Sequence, residues 1–183
     1  MICPSCCHTN LPGDDVCKRC KQPLTLFDLP QADNAVERSV MYDQVNSLKQ
    51  KSPVVIDQSA TISQALALMC AENVGAVLIV DHAGQLLGIF SERDLLKQLV
   101  GKNGNDYQQK PITQFMTPRP ECVKTTDTLN FVLQKMDAGG YRHVPVLQDG
   151  KPVSIVSARD MLRFVTRLCK DPESANGGRK TPD

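Results

Sequence analysis

Gly88-Ile89-Phe90-Ser91-Glu92-Arg93-Asp94 and Ser154-Ile155-Val156-Ser157-Ala158-Arg159-Asp160 are two versions of one phrase, 66 residues apart. In each, a short apolar run gives way to Ser-x-x-Asp and then to a leucine-containing stretch. Such a run reads as a buried strand. Ser-x-x-Asp reads as a helix start, with a hydroxyl beside free amides and a carboxylate one turn in. The correspondence extends outward in both directions. Leu96 stands over Leu162, and on the other side the offset becomes 67, with Val77 over Val144, Ile79 over Val146, Met69 over Met136 and Thr61 over Thr128. Residues 53–56 stand over 120–123. The single lost residue falls where Asp81-His82-Ala83-Gly84 faces Gln148-Asp149-Gly150, and a surface turn tolerates such a change. The chain contains an internal duplication.

Each copy has the same predicted plan. An extended segment (54–56, 121–123) leads to a helix (61–72, 128–138), two strands (77–80 with 86–90, 143–147 with 153–156), and a second helix from Ser91 or Ser157. Leu95, Leu96 and Leu99, and likewise Met161, Leu162 and Val165, read as a core stripe. The spacing of Val36, Val40, Met41, Val45 and Leu48 predicts a lead-in helix ending before Pro53. The expected divisions are a metal knuckle (1–26), a linker (27–35), the lead-in helix with the first repeat (36–104), the second repeat (105–168), and a disordered tail (169–183).

Five of the eight cysteines lie in the first 20 residues. A disulfide framework would spread across the fold it staples, so this cluster reads as metal-binding in a reducing compartment. Cys3-x-x-Cys6 and Cys17-x-x-Cys20 form two hooks able to close tetrahedrally on one structural zinc, with no open position for substrate. Cys7 is read as a bystander, and Asn10 as part of the turn between hooks. The segment resembles the zinc-ribbon or zinc-knuckle family, whose members often place glycine after each hook. Cys7 and Lys21 stand there instead. Lys18, Arg19 and Lys21 could touch a phosphate, but Asp14, Asp15 and Asp28 leave residues 1–30 with no net charge, so a nucleic-acid-binding regulator is the less favoured alternative, behind a protein partner at the knuckle.

Across the whole chain, 21 basic residues face 20 acidic ones, for a net charge of +1 in 183 residues. Bulk electrostatic attraction to nucleic acid is thus excluded. No apolar stretch approaches the roughly 20 residues that span a bilayer, and the N-terminus lacks the pattern of a signal peptide, so a cytoplasmic protein is expected. Without Trp, and with 5 Phe and 3 Tyr, the core must be aliphatic.

The duplicated phrase, with Phe115-Met116-Thr117-Pro118 and Arg142-His143-Val144-Pro145-Val146, strongly resembles a tandem pair of cystathionine-β-synthase (CBS) domains, the Bateman module, over about residues 36–168. The resemblance implies an α/β fold of two β-α-β-β-α units. They would pack as a pseudo-twofold module with two three-stranded sheets and two clefts, and such modules commonly pair into homodimers. It further implies a non-catalytic regulatory role in energy or metabolite sensing, often through AMP, ADP, ATP or another adenosyl ligand.

The residues suit that chemistry. Asp94 and Asp160 can accept from both ribose hydroxyls. Ser91 and Ser157 sit where helix amides favour phosphate, and Arg93 and Arg159 can close on it. By resemblance, adenine would lie near Val55, Ile56, Cys122 and Val123, close to the backbone at Val146. Arg142 is placed to reach phosphate and His143 to pack at the pseudo-dyad; their first-copy counterparts, Gly75 and Ala76, bring no charge. The second cleft therefore ranks first. The same serines and aspartates also suit plain helix capping, which leaves open a ligandless dimerisation scaffold. No histidine is paired with a nucleophile and an orienting carboxylate, so no catalytic residue is assigned.

Overall fold

The computed structural model describes residues 2–11, 14–24, 34–49, 51–98 and 107–170. Most of the expected linker, residues 99–106 (with Leu99 of the expected core stripe) and the tail beyond Lys170 lie outside these residues. Two compact units are present, residues 1–49, 125–142 and 157–183 in one, and 50–124 and 143–156 in the other.

The second of these units holds the sheets. Strands β1 (Val55–Asp57), β2 (Ala76–Val80), β3 (Leu86–Ser91) and β4 (Thr117–Pro118) form one sheet in that order. The β1–β2 pair is parallel and the other two are antiparallel. Helix α2 (Ile62–Ala71) begins at Thr61, whose side chain accepts from the Gln64 amide while Gln64 reaches back to the Thr61 amide. This reciprocal cap explains the sharp helix start. Val77, Ile79 and Phe90 pack in one core with Ile62, Ala65 and Met69 of α2. The alternate residues Ala76, Leu78 and Ile89 form a separate cluster against which Ile155 packs. Both faces of β2 are thus covered, and its sequence is continuously apolar for that reason.

The second hairpin, β5 (His143–Gln148) with β6 (Lys151–Ser157), has two strands. The third strand expected from 121–123 is reduced to one parallel bridge, Val123 to Val146. Val123 N–H donates to Pro145 O at 3.0 Å, and Leu147 N–H to Val123 O at 2.8 Å. The first sheet gains in exchange the short β4 strand.

The other unit contains the hooks and helices α1 (Ala35–Tyr42), α4 (Leu129–Gly139) and α5 (Ala158–Lys170); α3 (Glu92–Gln98) belongs to the sheet unit. The single lead-in helix expected through Leu48 ends at Tyr42, followed by a short 3-10 turn at Val45–Ser47. Hydrogen bonds to the segment before α4 account for the break. Val45 N–H donates to Asp127 O, Asn46 N–H to Thr125 O, and Leu129 N–H to Asp43 O. Val45, in this turn, and Leu48, just after it, are both buried. Helix α5 carries through Cys169 and Lys170, so the helical end of the chain overlaps the start of the expected tail.

Candidate functional site

The four hook cysteines converge. Their sulfurs all lie within 4.8 Å of one another, and Cys3–Cys20 and Cys6–Cys17 are each 3.5 Å apart. Sulfurs at ~2.3 Å from a tetrahedral zinc would stand about 3.8 Å apart, so the donor set fits that ion in type and spacing. The hooks are local copies of each other. Cys7 N–H returns to Cys3 O at 2.8 Å and Lys21 N–H to Cys17 O at 2.9 Å. Cys7 and Lys21 have φ of 55° and 60°, so both adopt the left-handed conformation in which glycine was expected.

Asn10 has a larger role than its place in a turn suggested. Buried between the hooks, it accepts from the Lys18 amide at 3.0 Å and donates to His8 O at 3.0 Å and toward Cys17 Sγ at 3.6 Å. Burial pushes the Cys3 thiol up and the Cys6 thiol up to about 12. Burial also acts upward on Cys17, but amides of Cys20 and Arg19, the Asn10 side chain and Cys6 together bring it down to about 6. Cys17 is therefore poised toward the thiolate, while burial favours the protonated forms of Cys3 and Cys6. A divalent cation would displace those protons, since the thiolate is the ligand form.

At the first Ser-x-x-Asp, the carboxylate reaches back over the helix start. Ser91 N–H and Oγ–H both donate to Asp94 Oδ2, at 2.9 and 2.6 Å. Thr117 Oγ1 donates to Asp94 Oδ1 at 3.1 Å. Thr117 was quoted for the resemblance but given no role; a hydroxyl two residues beyond Phe115, in the strand paired with β3, is the signal that could have placed it. At the second copy, Ser157 N–H and Oγ–H donate to Asp160 Oδ2 at 3.1 and 2.5 Å, and Asp160 N–H returns to Ser157 Oγ at 3.2 Å. Asp160 Oδ1 faces Arg163 Nη1 at 3.7 Å. The first amides of α3 and α5 are taken by equivalent carbonyls, Glu92 N–H by Gly75 O and Ala158 N–H by Arg142 O. Both aspartates are thus immobilised by capping, which orients a carboxylate but uses amides that phosphate would otherwise share.

The remaining candidates divide by environment. Arg93, Arg142 and Arg159 are exposed. His143 is half-buried, and a Cβ placed on Gly75 would stand 3.3 Å from its Cε1 and 3.4 Å from the Glu92 carboxyl group. A side chain at position 75 would therefore meet these two flexible side chains closely. Val123 and Val146 are fully packed and paired to each other, so their side chains belong to the core. Val55 is exposed, Ile56 packs beside the first core, and Cys122 is half-buried with its thiol on Pro120 O at 3.1 Å. Ser157, Arg159, Asp160 and Arg142 lie in the helical unit, whereas Ser91, Arg93, Asp94, Val55, Ile56, Cys122, Val123, His143 and Val146 lie in the sheet unit. Leu96 and Leu162, expected in the core, are 63 % and 66 % exposed. Their neighbours Leu95 and Met161 take the inward positions.

Among the described residues, no helix is long and apolar enough to cross a membrane. Comparison with known proteins places the repeats. The CBS-domain family profile matches residues 45–101 and 112–167. The CBS domain-containing protein CBSCBSPB5 of Arabidopsis thaliana is 30 % identical over 130 residues, 70 % of this chain but only 24 % of the plant protein. The crystal structure of the CBS-domain containing protein ATU1752 from Agrobacterium tumefaciens is 31 % identical with a TM-score of 0.62, covering 68 % of this chain and 94 % of that one. The CBS domain pair of protein MJ0100, solved with 5'-methylthioadenosine and S-adenosyl-L-methionine, is 25 % identical with a TM-score of 0.61, over 69 % and 98 % of the two chains. With both repeats matched in sequence and their α/β elements observed, the chain belongs to the CBS-domain family as a tandem pair, preceded by a four-cysteine segment of zinc-knuckle type.

Proposed function

We propose that this chain is a non-catalytic regulatory module that senses an adenosyl nucleotide, with the hooks holding a structural zinc. The observation that carries the reading is the cap at α5, where three hydrogen bonds fix Ser157 and Asp160 to one another. Such a carboxylate is pre-oriented for a ribose diol at little conformational cost. The backbone of Arg142 is tied by its carbonyl to the first amide of α5, and its side chain is exposed. The adenosyl ligands of the MJ0100 pair support the class of ligand. The second repeat ranks above the first because Gly75 offers no counterpart to Arg142.

Calorimetry against AMP, ADP, ATP and S-adenosylmethionine tests this. Asp160→Ala should remove a charge-assisted acceptor, about 1.5–3 kcal/mol, and so weaken binding by roughly 10- to 100-fold. Asp94→Ala should weaken it less. Equal affinity of both variants and the parent removes the carboxylates from the site. No binding of any of these ligands to the folded protein moves the reading to a dimerisation scaffold.

That second reading has its own support in Leu96 and Leu162, which are exposed at equivalent positions of α3 and α5. Exposed aliphatic residues repeated on helices suit burial by symmetric association, so a homodimer belongs to both readings, and light scattering at micromolar concentration checks it. A cytoplasmic setting fits the clustered thiols, which stay reduced there. A protein partner at the hooks is compatible with the exposed Ile2, Leu11 and Val16 around them.

A further inference from the structure

The buried face of α4 carries Leu129, Val132, Lys135 and Met136. Three are ordinary core residues, but the fourth is a lysine only 1 % exposed. Its Nζ donates to Pro4 O at 3.0 Å and to Cys7 Sγ at 3.4 Å, and stands 5.0 Å from the centroid of the Phe131 ring. Pro4 and Cys7 bracket Cys6 in the first hook. In repeat register Lys135 stands over Leu68, a partly buried residue packed on the first core. An apolar side chain is the low-cost occupant of such a face, because a buried ammonium loses its hydration. The first repeat uses one. The lysine occurs in the repeat against which the hook rests.

From α4 a short chain of bonds leads to the second cap. Gly140 closes the helix at φ 61°, with its amide on Asp137 O, and Tyr141 N–H donates to Met136 O at 2.9 Å. The next residue is Arg142, whose carbonyl accepts from Ala158 N–H at 3.0 Å, beside Ser157. All of these residues belong to the same compact unit as the hooks.

We propose that Lys135 couples the metal state of the hooks to the Ser157–Asp160 cap, making the second repeat responsive to a divalent metal. The proposal rests on both the zinc and the nucleotide readings. Four thiolates around a divalent cation are net anionic, and a neighbouring ammonium in a buried setting is strongly attracted to such a centre. Without metal, that attraction falls and the hook carbonyl that Lys135 holds is no longer fixed by a closed tetrahedron of sulfurs. Lys135 is a positioning residue here; it ligates nothing. Reciprocity requires that whatever tightens the cap also favours retention of metal.

Hydrogen exchange on the full chain, with one equivalent of zinc and after stripping by a chelator, tests the coupling. Stripping should raise exchange at least tenfold in α4 and at residues 158–161, while α2 stays protected. Lys135→Leu, which installs the first repeat's residue, should bind zinc at least tenfold more weakly in competition with a chromophoric chelator. It should also leave α4 exchange indifferent to zinc. Loosening confined to residues 2–24, or a Lys135→Leu protein with parental zinc affinity and parental zinc-dependent exchange, overturns the proposal. Should that variant fail to fold, the stripped and loaded parent proteins decide alone. Failure of the parent to take up zinc overturns the metal reading and the coupling together. Uptake with an indifferent α4 overturns only the coupling. Nucleotide binding is scored separately by calorimetry, so its failure is distinguishable from both.

Discussion

The two repeats start from the same plan and diverge where each meets a different neighbour. At the end of the central hairpin, the first repeat has Gly88 and the second Ser154. A Cβ on Gly88 would fall 2.4 Å from Met116 Sδ and 3.0 Å from Thr117 O, because β4 lies alongside. Among the described residues, Ser154 meets no such strand; it is buried and its hydroxyl donates to Lys51 O at 3.1 Å. The apparent loss of a ligand-facing glycine is therefore a change of structural partner. Gly75 against Arg142 and Leu68 against Lys135 follow the same rule. Equivalent positions keep their backbone role while the side chain answers to what packs there, so repeat symmetry is a guide to fold and a poor guide to ligand.

The largest effect that could break this comparison concerns the hooks, which have no counterpart in the repeat. Cys17→Ser should abolish most zinc binding and unfold residues 2–24, since so small a core is held by its metal. Metal analysis of reduced, purified protein should find near one equivalent in the parent and little in the variant. Full loading of Cys17→Ser, with loss from Cys7→Ser instead, would reassign the ligand set.

A middle-sized effect should come from exchanging the hairpin residues. Gly88→Ser should destabilise by about 1–3 kcal/mol through overpacking against Met116 and the β4 backbone. Ser154→Gly should cost about 1–2 kcal/mol through a lost buried hydrogen bond and a more flexible strand. Urea unfolding measures both. A neutral Gly88→Ser would mean that β4 yields easily and that the two copies are less specialised than they look.

The smallest effect concerns pH. Asp57 is held below the usual carboxylate range by hydrogen bonds from Ser59, with burial opposing and His82 assisting; its register partner is Lys124. A depressed folded pKa contributes stability that is present above the unfolded value near 3.8 and is lost as pH falls through the folded value. Asp57→Asn should flatten the fall in melting temperature on that acid limb and leave the neutral region little changed. An unchanged acid limb would remove Asp57 as a source of asymmetry.

Much of this architecture was legible in the sequence because the repeat supplied each signal twice. Thr61 and Thr128 both cap their helices, and the Asp/Gly turns sit where the indel placed them. The four hook cysteines were legible from spacing alone. What escaped detection depends on contacts distant in sequence. The helix expected through Leu48 breaks because residues 125–127 compete for its backbone. Thr117 acquires its role by pairing with a strand some thirty residues earlier. Leu162 looked inward beside Met161 on a helical stripe, yet of the two only Met161 is buried. Lys135 did leave a trace, as a charged residue over Leu68 in an otherwise apolar register, but nothing local says that a hook covers it.

The double burial of β2 has a consequence for how the chain is made. One face of Ala76–Val80 is covered by residues already synthesised when the strand emerges, chiefly α2. The other waits for Ile155, which is 75 residues beyond Val80 (155 less 80). At ~5–20 residues per second that is an interval of about 4–15 s on the ribosome. Throughout it, an apolar, β-prone segment with no proline or charge has one side unsatisfied, the composition that invites pairing with other nascent chains. The second repeat thus completes the burial of β2, and the separation between the copies sets how long that face waits for its cover.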